Sequence, residues 1–175
     1  MVKYASRLHC EEKLLSSTRT SENQSPAPFT GPHEFPMEGW ISCAPFERLL
    51  HIKIIQAADG KAVLKMPFLL DLAQGAGLMH GGALVSLADT AVVMAIKSIL
   101  SPETHFATIS MNVKFLHPVK KGWIEARAEV FKFQGRDLQG RATVYDEEGR
   151  AVMEFSSVFK VARDSKIKGI SFKLS

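Results

Sequence analysis

Cysteine is scarce in this chain. Only Cys10 and Cys43 occur among 175 residues, and their separation matches no metal-ligand spacing, which leaves no disulfide framework or cysteine zinc site. With no signal peptide at the start, such usage fits a reducing compartment, and a cytoplasmic protein is expected. Long apolar runs are missing too, because Asp89 and Lys97 break the longest of them, too soon for a membrane span. There is no Gly-x-Ser-x-Gly elbow, no Walker loop and no His-Glu-x-x-His zinc motif. Gly75-Ala76-Gly77 opens like a dinucleotide fingerprint, but His80 stands at the last glycine position and no βαβ unit surrounds it. Nor is there a charge excess over most of the chain. The net charge is +4, and residues 160–175, with five basic residues and one acidic, account for all of it. The remainder is balanced and does not interleave basic with aromatic residues, so nucleic acid is not an expected partner.

Composition marks the ends. Residues 16–38 hold four of the eight prolines and only four apolar side chains, Ala27, Phe29, Phe35 and Met37. That is too little burial to offset the entropy of ordering, so residues 1–38 read as an N-terminal extension ending in a linker. Within it Met1 to Leu15 can form a short amphipathic helix, marginal in isolation. Residues 163–175 read as a basic tail, either a solvated end or a contact for phosphates. Residues 39–162 remain, enough for one well-packed domain.

What the domain does contain is Gly77-Leu78-Met79-His80-Gly81-Gly82, running directly into a long apolar segment. From Ala83 to Leu100 thirteen of eighteen residues are apolar, without glycine or proline, which predicts a helix buried on most sides. Ser86, Asp89, Thr90 and Lys97 share one stripe of it, with Val93 among them. No Lys or Arg stands three or four residues from Asp89, so its carboxylate lacks a partner along the helix. Either the stripe faces water or the carboxylate is retained for chemistry. Gly81 and Gly82 remove side chains where the chain enters the helix, leaving amide N–H groups at the positive end of the dipole. Such a terminus can hold an oxyanion or a carbonyl oxygen gaining charge, although a tight turn also asks for glycine. His80 reads as a capping or orienting group.

Gly81 and Asp89 are eight residues apart, roughly 12 Å along one helix. They cannot grip the same small reacting group, so if both are catalytic the working pair comes from two copies of the helix in a homodimer.

Strands are expected on both sides of the helix. Ile52 to Gln56 and Lys61 to Met66 flank Asp59-Gly60 in a loop that reads as longer than a tight two-residue turn. From Ala107 to Phe115 every odd position is apolar and the even ones are Thr108, Ser110, Asn112 and Lys114, the period of a half-buried strand. Trp123 to Phe133, Gln139 to Asp146 and Arg150 to Val161 follow, with Glu147-Glu148-Gly149 closing the last hairpin. One helix among five or six antiparallel strands is an α+β pattern.

Gln74, His80-Gly81-Gly82, Asp89 and the stretch Thr108 to Pro118 together resemble the PaaI-like acyl-CoA thioesterases, over about residues 44–162. The resemblance implies the hotdog fold, an antiparallel sheet wrapped around one long helix. It implies an acyl-CoA substrate hydrolysed to free acid and coenzyme A, with no metal and no redox cofactor. It implies that the Gly81 amide polarises the thioester carbonyl, aided by Gly82 and His80, and that Asp89 of the other subunit activates water or attacks directly. Thr108 would hold the carboxylate or the water, and Gln74, where many members carry Asn, the water. Arg136, in the Gln134-Gly135-Arg136-Asp137 turn, would contact a coenzyme A phosphate. A homodimer or a dimer of dimers is expected. Two alternatives remain: a non-catalytic acyl-CoA sensor of the same fold, and another hotdog enzyme such as a hydratase or dehydratase. Aromatic and medium-chain fatty acyl groups both suit an apolar pocket.

Overall fold

The computed structural model describes residues 35–102 and 104–163. The expected N-terminal helix, most of the linker and nearly all of the basic tail lie outside them. Met37, placed in the linker by composition, is buried.

A short helix α1 (Pro45–Leu49) precedes strands β1 (Lys53–Ala58) and β2 (Lys61–Pro67), and a single 3-10 turn at Leu70–Leu72 leads toward helix α2 (Gly81–Lys97). Strands β3 (Phe106–Phe115), β4 (Trp123–Gln134), β5 (Asp137–Tyr145) and β6 (Ala151–Val161) follow. All six strands form one antiparallel sheet in the order β1-β2-β4-β5-β6-β3. The fold is α+β, with one long helix packed on one face of the sheet, as the hydrophobic patterning required.

Packing explains why α2 is almost wholly apolar. Leu84, Leu87, Ala88, Ala91, Val92, Ala95 and Ile96 face the sheet and are buried against Leu64, Met66, Ile124, Leu138 and Val144. Closeness is set by Gly140 on β5, where an added Cβ would collide with a Val92 methyl. Thr90 belongs to this covered face, at 6% exposure, and not to the open stripe where the sequence put it. The open stripe consists of Val85, Ser86, Asp89, Val93 and Lys97, all half-buried.

The β1–β2 connection differs from expectation. It is a tight two-residue turn, Asp59-Gly60, with both φ positive at 51° and 73°, the geometry that matches strand twist. β1 simply runs two residues further than its alternation suggested.

β3 also departs from its reading. It is an edge strand, and the described residues leave its odd apolar side chains uncovered: Ile109, Met111 and Phe115 are 56%, 48% and 55% exposed. Its register against β6 shifts between Thr108 and Ser110. On β6, Met153, Phe155, Ser157 and Phe159 point inward and are buried. Their partners Phe115, Val113, Met111 and Thr108 therefore share the helix side of the sheet. The extra residue at Ile109 reverses the alternation, so Thr108 lies on the same face as Met111 although their sequence parities differ.

Candidate active site

The loop before α2 is closed upon itself by its own amides. Gln74 N–H donates to Leu78 O (2.8 Å), Gly77 N–H to Gln74 O (2.7 Å) and His80 N–H back to Leu72 O (2.8 Å). Gly77 takes φ +79°, a conformation that favours glycine. This delivers His80 to the N-cap of α2 in extended geometry. Its Nδ1 accepts the Gly82 N–H at 2.9 Å, leaving the ring proton on Nε2. A Cβ on Gly82 would sit 2.9 Å from that Nδ1, so glycine there is what allows the imidazole to fold onto the helix start.

The Ala83 and Leu84 amides are satisfied by His80 O. Among the described residues the Gly81 N–H is left, of the four first-turn donors, without an acceptor. The Phe115 ring at the end of β3 packs over Gly81, within 3.0 Å of where a Cβ would be. A bare backbone donor at a helix N-terminus can stabilise a developing oxyanion.

Asp89 lies two turns further along the open stripe. Thr108 Oγ1 donates to its carboxylate, 3.3 Å from Oδ1 and 3.5 Å from Oδ2, and this contact exists because the β3 bulge turns Thr108 inward. No cation pairs with Asp89 among the described residues. Burial raises its pKa, the Glu47 carboxylate raises it further, and the Thr108 hydrogen bond opposes both. A carboxylate destabilised in this way is a stronger base once ionised.

The other expected residues are less free. Gln74 is half-buried and its Oε1 accepts the Ala76 N–H at 2.6 Å, which ties it to its own turn. Arg136 sits between β4 and β5 with its Nε donating to Val161 O at 2.8 Å, bracing the end of β6. Ser86 donates to Gly82 O at 2.9 Å, a helix-face hydroxyl. The structure thus brings Asp89 to Thr108 and His80 to Gly82, while Gly81 and Asp89 stay roughly 12 Å apart along α2. Among the described residues, no three His, Cys, Asp or Glu side chains are placed to hold a metal ion.

Sequence reading overlooked the segment from Met37 to Leu50, which covers the far end of α2. Trp40 Nε1 donates to Lys97 O at 2.9 Å, and its indole meets Phe106 edge-on at 6.5 Å. Lys97 Nζ stands 5.0 Å above the same indole. The only advance signals were Trp40 and the Pro45-Phe46 pair, a helix start without a side-chain cap.

With that geometry in view, comparison with known proteins is decisive. Residues 76–153 match the family model of the thioesterase superfamily, a stretch that holds Gly81, Gly82, Asp89, Thr108 and Arg136. Over this stretch the chain is similar to the thioesterase superfamily. Like its PaaI-type neighbours it has the hotdog fold, and it is a thioester hydrolase. It is 29% identical over 104 residues to the candidate esterase ComA2 of Bacillus subtilis (strain 168), covering 59% of this chain and 82% of that one. A mutant of the phenylacetic acid degradation protein PaaI from Thermus thermophilus superposes with a TM-score of 0.62 at 28% identity, over 67% of this chain and 98% of that chain. The PaaI protein from the phenylacetic acid degradation operon of E. coli gives 0.63 at 25%, over 68% and 85%. Among the described residues of this thioesterase no helix is long and apolar enough to cross a membrane.

Proposed function

We propose that this thioesterase hydrolyses acyl-CoA to a free acid and coenzyme A at a site completed by two subunits. The observation that carries the reading is the division of labour along α2. One end offers a bare Gly81 amide, and the open stripe offers an unpaired carboxylate held by Thr108, too far away to serve the same carbonyl. The exposed β3 edge supports the partnership. If two copies paired antiparallel along β3, Phe115 and Gly81 of one would approach Thr108 and Asp89 of the other. Either a dimer or a dimer of dimers satisfies this requirement.

In this mechanism the thioester carbonyl oxygen accepts from the Gly81 N–H, with the helix dipole behind it. Asp89 of the neighbouring subunit removes a proton from water as the water attacks the carbonyl carbon, or attacks that carbon itself to give a mixed anhydride, which water then hydrolyses, releasing the free acid, regenerating the carboxylate and supplying the thiolate's proton. The tetrahedral intermediate collapses by breaking the carbon–sulfur bond, and the departing thiolate takes up the proton. Thr108 fixes the carboxylate. His80 orients the turn and the carbonyl, Gly82 admits the His80 ring, and Gln74 offers its amide N–H to the water. The terminal guanidinium nitrogens of Arg136 take a coenzyme A phosphate. The test is free-thiol release across a panel of acyl-CoAs beside an oxygen ester of the same acid. Release from acyl-CoA is expected; tight binding without release would support a sensor instead.

A further inference from the structure

Helix α2 begins between two rings. Gly81 and Gly82 open the helix and neither has a positive φ, so backbone conformation does not require glycine at either position. Side-chain space does. A Cβ on Gly82 would meet the His80 imidazole at 2.9 Å, and one on Gly81 would meet the Phe115 ring, 3.0 Å from Cζ and 3.2 and 3.7 Å from the two Cε atoms. The Phe115 contact is made by the far edge of the phenyl, where the C–H bonds carry the positive side of the ring quadrupole. Gly81 is half-buried although His80 and Gly82 on either side of it are exposed.

Two features of β3 deliver the ring. The bulge at Ile109 turns Phe115 to the helix side of the sheet, opposite the buried Met153. Beyond it, Leu116 N–H donates to Val152 O at 2.8 Å, which holds the strand end against β6. One irregularity in the strand thus aims Thr108 at Asp89 and Phe115 at Gly81.

Among the described residues the Gly81 N–H is the one first-turn donor left free, and it stands between neighbours open to water. A hydrogen bond made in water yields little net stabilisation, whereas the same bond in an apolar surround is stronger. We propose that Phe115 is the wall that keeps water from the Gly81 amide and sets its positive ring edge beside the developing oxyanion, and that residue 81 is glycine to admit this ring. The inference rests on the acyl-CoA thioesterase reading above. Removing the ring leaves substrate binding largely intact and weakens the transition state, in which the carbonyl oxygen carries its charge.

The experiment measures kcat and KM for thiol release from phenylacetyl-CoA and octanoyl-CoA, with light scattering and thermal unfolding on each protein. Wild type, Phe115→Leu, Gly81→Ala and the double variant are compared. Leucine keeps an apolar side chain at the strand end but is too short to reach Gly81, and alanine is the better helix former at 81. Phe115→Leu is expected to lower kcat about tenfold, less than the loss of a whole oxyanion donor, with KM and association unchanged. Gly81→Ala, whose methyl pushes the ring aside, is expected to lower kcat several-fold in the wild-type background and to have no further effect in the Phe115→Leu background. A Phe115→Leu enzyme with wild-type kcat overturns the proposal. So does a loss that appears only in KM, or one accompanied by dissociation, which would assign the ring to substrate affinity or to the subunit contact. An equal fall from Gly81→Ala in both backgrounds overturns the explanation of the glycine. Thiol release from neither ester by wild type overturns the acyl-CoA reading beneath, and this inference with it.

Discussion

Asp89 is half-buried, opposed by Glu47 and, among the described residues, held only by the Thr108 hydroxyl, and its behaviour follows from that imbalance. Replacing it with Asn keeps the shape and removes the basic oxygen, so turnover should fall about a hundredfold or more while a non-hydrolysable acyl-CoA still binds by calorimetry. Because burial raises the Asp89 pKa above its unfolded value, ionisation of this group opposes folding; the penalty is absent at low pH and grows as pH rises through the raised pKa. Asp89→Asn should therefore melt at or above wild type, with a margin that widens from acidic toward neutral pH. The acid limb of kcat/KM should have its midpoint above the ordinary aspartate range. Thr108→Val removes the bond that favours the charged form and should move the midpoint higher still while lowering the plateau; an unmoved midpoint would separate Thr108 from the working carboxylate. Asp89 was legible in the sequence because nothing cationic stands one turn away. Thr90 was misplaced because a stripe drawn at 3.6 residues per turn has soft borders, and packing alone decides which side of the border is covered. The tie between Gln74 and Ala76 depends on local turn geometry, which residue types do not specify.

At the scale of elements, helix and strands were legible wherever one periodicity ran unbroken. The β3 bulge was not: alternation from Ala107 to Phe115 is perfect in the sequence, and the step at Ile109 comes from pairing with β6. Family resemblance placed Thr108 beside the carboxylate, whereas period two put it on the opposite face from Met111, and the bulge reconciles the two. Gly140 offers a separate check on packing. An added methyl would collide with Val92 at the centre of the α2–sheet contact. Gly140→Ala should cost about 1–3 kcal/mol, the usual penalty of overpacking, read as a lower denaturation midpoint. Stability at or above wild type would mean that helix and sheet are not in such close contact.

At the scale of the whole molecule, the exposed apolar residues of β3 are the feature that a single chain leaves unresolved. An uncovered edge strand with Met111 and Phe115 about half exposed invites pairing with another copy. Met111→Asp should yield a folded monomer by light scattering that has lost hydrolysis; a monomer with full turnover would contradict the shared site. That one helix holds Gly81 and Asp89 too far apart to serve one carbonyl, the ground for proposing two copies, was legible in the sequence. Which edge would join them was not, because strand order cannot be read from patterning.

The most direct measurement mixes two disabled proteins. Gly81→Pro removes the amide donor at the first helical position, where proline is best tolerated and the extended His80 suits a following proline; its ring must displace the Phe115 side chain, so retention of fold and subunit association is checked first by thermal unfolding and light scattering. Asp89→Asn removes the carboxylate. Each variant alone should be inactive against a good acyl-CoA substrate. If the site is shared, subunit exchange in an equimolar mixture should restore about one quarter of the wild-type rate, since half of randomly paired dimers are mixed and each holds one complete site. A mixture no more active than its parents, after exchange has been verified by mass, would show that Gly81 and Asp89 act within one chain and would contradict the account.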